Sequence, residues 1–293
     1  MTVANGRRHF LAGLGAAGAA LLLPRRGWAA PLEKVKEAGT LRVGLYANNR
    51  PWSWDDAGVV RGIDADIARA VAEELGVKTD LALFTADEDV SDDLRNVVWR
   101  GGLLGFRPCD VMMHVPFDRK FMADQDQVLV LAPYYREAFG AICAADSGRD
   151  CEAVPTVFRG RRVAAELDSI PDFYLLGSFG GVLRPDLEHY PTGFDAAAAV
   201  QSGKADFAVA TRAQIDAAIA AEPEGGAKRR QGPLPAMLSP GWDIGIAVKE
   251  NSRSLGFAIE DAMGKIAEDG RLAAIFAHYG TEWKAADAAT PHK

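Results

Sequence analysis

Cysteine is scarce: three residues in 293, with no Cys-x-x-Cys pair among them. That count excludes a disulfide-built scaffold and a cysteine zinc cluster. Long apolar runs are missing too. The run from Leu11 to Leu23 has thirteen residues, against roughly 20 for a bilayer span, and no second run approaches that length. Basic charge is in deficit, 33 Lys and Arg against 40 Asp and Glu, for a formal charge of −7. Such a chain is not built to neutralise phosphates, which argues against nucleic acid as a partner.

What is present begins with an address. Arg7-Arg8-His9-Phe10-Leu11 is a twin-arginine pattern, the short apolar run follows it, and Gly27-Trp28-Ala29 supplies small residues at the two recognition positions. Residues 1–29 are therefore expected to be a signal peptide for export of the folded protein to a bacterial periplasm, cut after Ala29. They carry four arginines and no acid, so the remainder stands at −11, a charge that welcomes a basic protein surface. In an oxidising compartment Cys143 and Cys151, eight apart around "AADSGRD", are placed to form one disulfide, leaving Cys109 a buried free thiol.

The pattern after the signal alternates strands and helices. "TLRVGLY" (40–46) reads as a strand and "NNRPWSWDDAGVV" (48–60) as a loop. "IDADIARAVAEELG" (63–76) puts Ile67, Val71 and Leu75 on one helical face, with Asp64 suited to cap its start and Gly76 its end. "KTDLALF" and "CDVMMHV" read as strands around a helix through "SDDLRNVVWRG". The second half repeats the scheme: a strand at 161–167, a helix at 169–179 with Pro171 in its first turn, a helix at 195–204, and strands at 205–210 and 243–249. A Gly/Pro-rich loop at 221–235 and two closing helices over 254–280, broken at Gly270, complete it. Repeated βαβ units predict parallel, helix-covered sheets. Residues 285–293 have nothing to bury and read as a flexible tail.

In this order the segments "LRVGLYANNRPW", "GIDADIARAVAEELGVK", "CDVMMHVPFDRKF", "FRGRRVA", "SGKADFAVA" and "IGIAVKENS" resemble the periplasmic solute-binding proteins of ABC transporters, in the branch of polar amino acid receptors. The resemblance implies an α/β fold, a type II two-lobed periplasmic binding protein with its cleft between two parallel or mixed-sheet lobes. Lobe one would hold residues 30–139 and 243–284, and lobe two residues 140–242. A narrower resemblance rests on "DDLRNVVWRGGLLGFRPCDVMMHVPFDRKFM" (92–122), with its long insert and its Val-Pro pair. It is similar to the J proteins of methanol oxidation, MxaJ and XoxJ, that accompany quinoprotein dehydrogenases. This implies a periplasmic accessory that binds or activates a PQQ-dependent methanol dehydrogenase, the lanthanide type before the calcium type, with the enzyme's cytochrome c a further partner. The alternative is a transporter receptor for a small ligand that is not an amino acid.

Where the receptor family reads a free amino acid, Thr-x-x-Arg holds the carboxylate; the matching positions here are Pro116 and Arg119. Proline offers neither hydroxyl nor N–H. The family's ammonium-binding Asp is matched by Thr211, followed by Arg212, and its Gly-Thr turn by a stretch holding Ser169, Ile170 and Pro171. Trp52 and Trp54, two apart on the first cleft loop, are either a core anchor with an exposed ring or an apolar wall for a small hydrophobic ligand. His114 completes the cleft candidates. No ordered catalytic set is present, so an enzyme is not expected, and no cofactor is implied. "ADEDVSDD" (86–93) lacks the glycine and terminal glutamate of a calcium loop and reads as a helix entry rather than a metal site. Along 109–115, alternation predicts Cys109, Val111, Met113 and Val115 on one face, with Asp110, Met112 and His114 on the other.

Overall fold

The computed structural model describes residues 31–289; the twin-arginine pattern and the expected cleavage position fall outside the described residues. The chain opens with α1 (Pro31–Ala38), β1 (Thr40–Tyr46) and a small antiparallel meander of β2 (Asn48–Asn49), β3 (Ser53–Asp56) and β4 (Val59–Arg61). It continues through α2 (Ile63–Leu75), β5 (Lys78–Phe84), α3 (Val90–Leu94), β6 (Val111–Pro116), α4 (Arg119–Ala123) and β7 (Val128–Glu137). A second lobe follows: β8 (Phe139–Cys143), β9 (Val163–Glu166), α5 (Ile170–Gly177), β10 (Leu187–Tyr190), α6 (Gly193–Gln201), β11 (Phe207–Thr211), α7 (Arg212–Ala221) and β12 (Lys228–Arg229). The return is made by β13 (Trp242–Lys249), α8 (Arg253–Glu268) and α9 (Arg271–His278). No helix among the described residues is long and apolar enough to cross a membrane.

Two five-stranded sheets carry the lobes, in the orders β5-β1-β6-β13-β7 and β10-β9-β11-β8-β12. In the first, β5, β1 and β6 are parallel while β13 runs against β6 and β7. In the second, β10, β9 and β11 are parallel and β8 runs against β11 and β12. The carboxyl ends of the parallel strands, at Tyr46, Pro116, Glu166 and Thr211, end at the cleft between the lobes, where open α/β sheets place ligands. Only Ala138 separates β7 from β8, and the rings of Phe139 and Trp242 meet at 4.9 Å where the two crossings pass.

Burial follows residue chemistry. Ile63, Ile67 and Val71 of α2 pack with Val43, Leu45, Ile259 and Phe276, each large apolar side chain contributing about 1.5–3 kcal/mol of transfer free energy. On the other face of the same sheet, Val97, Val98, Cys109, Met112 and Val115 form a second core. The second lobe divides likewise, with an alanine-rich core under α6 and α7 and an aromatic one holding Phe158, Tyr174 and Phe207. Alanine lets α6 and α7 lie close to the strands; Gly193 is tighter still, since a Cβ there would sit 2.1 Å from the Gln214 side chain.

Four local expectations change. The 48–60 stretch is not an open loop but the meander, held by pairing of Trp54 with Arg61 and of Asn48 with Trp54. Asp64 does not cap α2. Gly62 does, at φ 126, where a Cβ would collide with the Trp52 carbonyl at 2.1 Å; Asp64 is drawn inward instead. The alternation along β6 breaks at its end. Two residues of β6, Met113 and His114, oppose the single Ile246 of β13, so Val115 joins Met112 rather than Met113. Such a bulge adds a residue and re-aims the strand.

The fourth change concerns the C-terminus. Residues 285–289 are docked, not free. Past α9, Thr281 donates to the Ala213 carbonyl of α7, and the Trp283 indole donates to the Tyr134 carbonyl. The Arg136 N–H then reaches the Lys284 carbonyl. Asp243 accepts the N–H groups of Asp287 and Ala288, and Ala286 is fully buried. The alanines of 285–289 carry little apolar signal, because hydrogen bonds to Asp243 hold them rather than a large apolar face.

Candidate functional site

Two adjoining cavities of about 630 and 490 Å³ occupy the cleft, sharing Asn49, Pro116, Glu166 and Trp242 as walls. The larger is bounded by Tyr46, His114 and the acids of 87–93; the smaller by Phe139, Ser169, Ile170, Pro171, Thr211 and Gln214. Both volumes fall in the range of small-molecule sites. The larger cavity is thus acidic on the first lobe's side, and the smaller is mostly apolar on the second lobe's.

His114 sits at the floor. The bulge gives it φ 65, a left-handed conformation that costs a non-glycine residue of order 1 kcal/mol or more. Its Nδ1 is 3.1 Å from Asp64 Oδ2, and its ring lies 4.7 Å from Trp52. Asp64, 1% exposed, also accepts the Tyr134 hydroxyl at 2.6 Å. Burial, then the Asp64 charge, raises the Tyr134 phenol well above its ordinary value, so the hydroxyl stays a donor.

A second buried carboxylate, Asp93, accepts the Asp87 N–H and the Tyr46 hydroxyl. Burial pushes its pKa up, only partly offset by the Asp87 N–H and the Tyr46 hydroxyl. Glu166, at the seam of the two cavities, accepts the Gly193 N–H and is likewise raised by burial. Behind the Thr211 hydroxyl lies Glu137, 1% exposed: Oε1 accepts the Ala138 N–H, while Oε2 has no hydrogen-bond partner. Burial raises it to about 7. The acids of 86–93 work locally as well, Asp89 capping α3 through the N–H groups of Ser91 and Asp92. No group of three or more metal-ligating side chains is gathered among the described residues.

The residues singled out from sequence separate into two sets. His114, Pro116, Ser169, Pro171 and Thr211 line the cleft together. Ser169 and Thr211 also cap α5 and α7, Thr211 within a reciprocal capping box. Trp52 does not line it: it is core, 2% exposed, packed edge-on against Tyr135 and Phe276. Trp54 is half-buried outside the cavities, with the Arg50 guanidinium 4.7 Å over its ring and Phe194 of the second lobe on the other side of that cation. Arg119 is exposed at the start of α4, and Arg212, whose N–H donates to the Ala138 carbonyl, belongs to the crossing; neither lines the cavities. Cys143 and Cys151 are joined, and Cys109 is a buried free thiol. Sequence reasoning missed Glu166 and Glu137, and read Asp93 only as part of a helix entry. The signal available for Glu166 was its place at the end of a strand whose other residues are apolar.

The sequence matches no family model and no curated protein. Solved structures do match. An ancestral cationic amino acid solute-binding protein is 20% identical, covering 86% of this chain and 100% of its own, at a TM-score of 0.64. An amino acid ABC transporter substrate-binding protein from Streptococcus pneumoniae, bound to L-arginine, is 18% identical over 86% of this chain and 99% of its own, with a TM-score of 0.62. A solute receptor for L-cysteine from Neisseria gonorrhoeae is 18% identical over 85% and 92%, at 0.58. At these identities the likeness is one of fold.

Proposed function

From the two-lobed solute-binding fold, we propose that this chain is a periplasmic accessory of a PQQ-dependent methanol dehydrogenase, of the MxaJ/XoxJ kind and XoxJ before MxaJ, that binds or activates the enzyme rather than delivering an amino acid to a transporter. The carrying observation is that, among the described residues, no Arg or Lys lines either cavity. The side chain at the position that would hold an amino acid's carboxylate is Pro116, and the nearby Arg119 points to solvent as an exposed residue. A zwitterion placed here would bury its carboxylate among carboxylates, at a cost that unpaired buried charge makes severe.

The insert that carries the narrower resemblance adds support. Leu103 and Leu104 are 90% and 107% exposed at its tip, with Leu104 held at φ 53. The insert folds back through the Gly102 N–H to the Phe106 carbonyl, and Arg42, at the start of β1, lies over the Phe106 ring. The insert therefore packs at the start of β1, the end of that strand away from Tyr46 and the cleft. Large apolar side chains displayed together on a surface mark interaction sites more often than chance exposure. The net acidity outside the expected signal favours a basic partner face, and such attraction weakens with salt.

The periplasmic location follows from the expected signal and has its own check, export in a strain lacking the twin-arginine translocase. The function is tested by passing periplasm from methanol-grown cells over the immobilised protein. Retention of the quinoprotein or its cytochrome c, lost on Leu103→Asp/Leu104→Asp, is expected. A second reading, a transporter receptor for a ligand that is not an amino acid, is favoured by the size of the larger cavity. It wins if neither enzyme nor cytochrome is retained while a small molecule raises the melting temperature saturably.

A further inference from the structure

The cleft gathers carboxylates that no Arg or Lys among the described residues on its walls offsets. Asp87, Glu88, Asp89 and Asp93 of the first lobe face the larger cavity together with Glu166 of the second. Asp93 is 3% exposed, and its two oxygens are held by neutral donors, a phenol and an N–H. Among the described residues, the one wall side chain able to carry positive charge is His114, already engaged by Asp64. Arg50, on the cleft's first loop, lies over the rings of Trp54 and Phe194 and does not line either cavity. Tyr46, Phe139 and Trp242 put aromatic surface beside these acids.

We infer that the cleft binds a small organic cation that carries no carboxylate, an amine or guanidine with an apolar body. The charged end would lie among Asp93, Glu166 and the rim acids, where a cation relieves repulsion between carboxylates and gains from the aromatic faces. The apolar body would lie against Ile170, Pro171, Phe139 and Trp242 of the smaller cavity. A carboxylate on the same molecule would find no cationic partner on either wall. The site thus reverses the selectivity expected of an amino acid receptor: it rewards the ammonium and penalises the acid. The inference concerns the cleft alone and stands under either reading of the chain's role.

Matched pairs that differ only by the carboxylate test it. The intact chain is titrated by calorimetry with agmatine against arginine and with cadaverine against lysine, at pH 6.5. Each decarboxylated member is expected to bind at least tenfold tighter than its amino acid. Glu166→Gln, which keeps an acceptor for the Gly193 N–H, and the rim variant Glu88→Gln should each weaken agmatine severalfold; the rim variant leaves the fold untouched should the first destabilise it. Equal or tighter binding of arginine or lysine overturns the inference, as does failure of every cation to bind at millimolar concentration. Capture of a dehydrogenase in the retention experiment leaves this result unaffected, so the two can fail separately.

Discussion

Replacing Glu137 by glutamine should make the protein more stable at neutral pH and leave it unchanged in acid. Glu137 is the last residue of β7, buried at the crossing between the lobes, with Oε2 lacking a close hydrogen-bond partner among the described residues. Its surroundings are the Ala138 and Ala213 N–H groups, the Thr211 hydroxyl and, further off, His114. These favour the carboxylate, but burial outweighs them and lifts the pKa from 4.5 to about 7. The folded state therefore holds a proton that the unfolded state has released, and stability falls as pH rises between those two values. At 1.36 kcal/mol per unit the loss is about 3 kcal/mol. It is complete near pH 7, constant above, and absent below about 4.5. Glutamine keeps an acceptor for the Ala138 N–H and never ionises. Urea unfolding of both proteins at half-unit steps from pH 4 to 8.5 gives the difference curve directly. It should be flat in acid, climb in favour of Glu137→Gln between pH 4.5 and 7, and level off at about 3 kcal/mol. A difference of constant size across the whole range would refute the argument, since a packing effect carries no proton.

Further expectations follow from other buried groups. Tyr134→Phe removes the hydroxyl donated to Asp64 and should destabilise by about 2 kcal/mol, the worth of a hydrogen bond to a buried charge; a urea midpoint unmoved by it would mean that the bond contributes nothing net. Burial pushes the Cys109 thiol up to about 12, so a disulfide reagent at pH 8 should label no thiol in the folded, unreduced protein and one in urea. Rapid labelling without denaturant would contradict this. Reducing Cys143–Cys151, which closes a loop at a separation of 8, should cost about 2–3 kcal/mol by chain entropy, seen as a lower melting temperature in dithiothreitol and unchanged in a Cys143→Ala/Cys151→Ala protein.

The sheets were legible because their signals are local. Strand β1, helix α2 and the break at Gly270 announce themselves through periodicity and one glycine. Strand β7 was harder, since its ten residues pair only with β13, more than a hundred positions later. The same distance hid the conformation of His114: its positive φ arises from a mismatch between β6 and β13, and nothing in "MMHVP" marks it. Among the site residues, those matched to strand ends did fall on the cleft, as Pro116 and Thr211 do. Trp52 and Arg119 did not, because the meander turns one into the core and α4 carries the other outward. The acids of 87–93 were visible in the sequence only as a helix entry, and Glu166 not at all, for a different reason. A carboxylate's importance here depends on the cations that are absent around it, which only a three-dimensional neighbourhood reveals.

The docked C-terminal segment has a mechanical meaning. It grips α7 through Thr281, β7 through Trp283 and Lys284, and β13 through Asp287 and Ala288, so a third cord runs beside the two crossings. A rotation of one lobe against the other must stretch or release that cord. The angle of the cleft is thereby written into the seating of residues 281–289, on the outside of the molecule. A fluorophore placed at position 289 would act as a pointer on a dial, reading the jaws from behind without touching anything they hold.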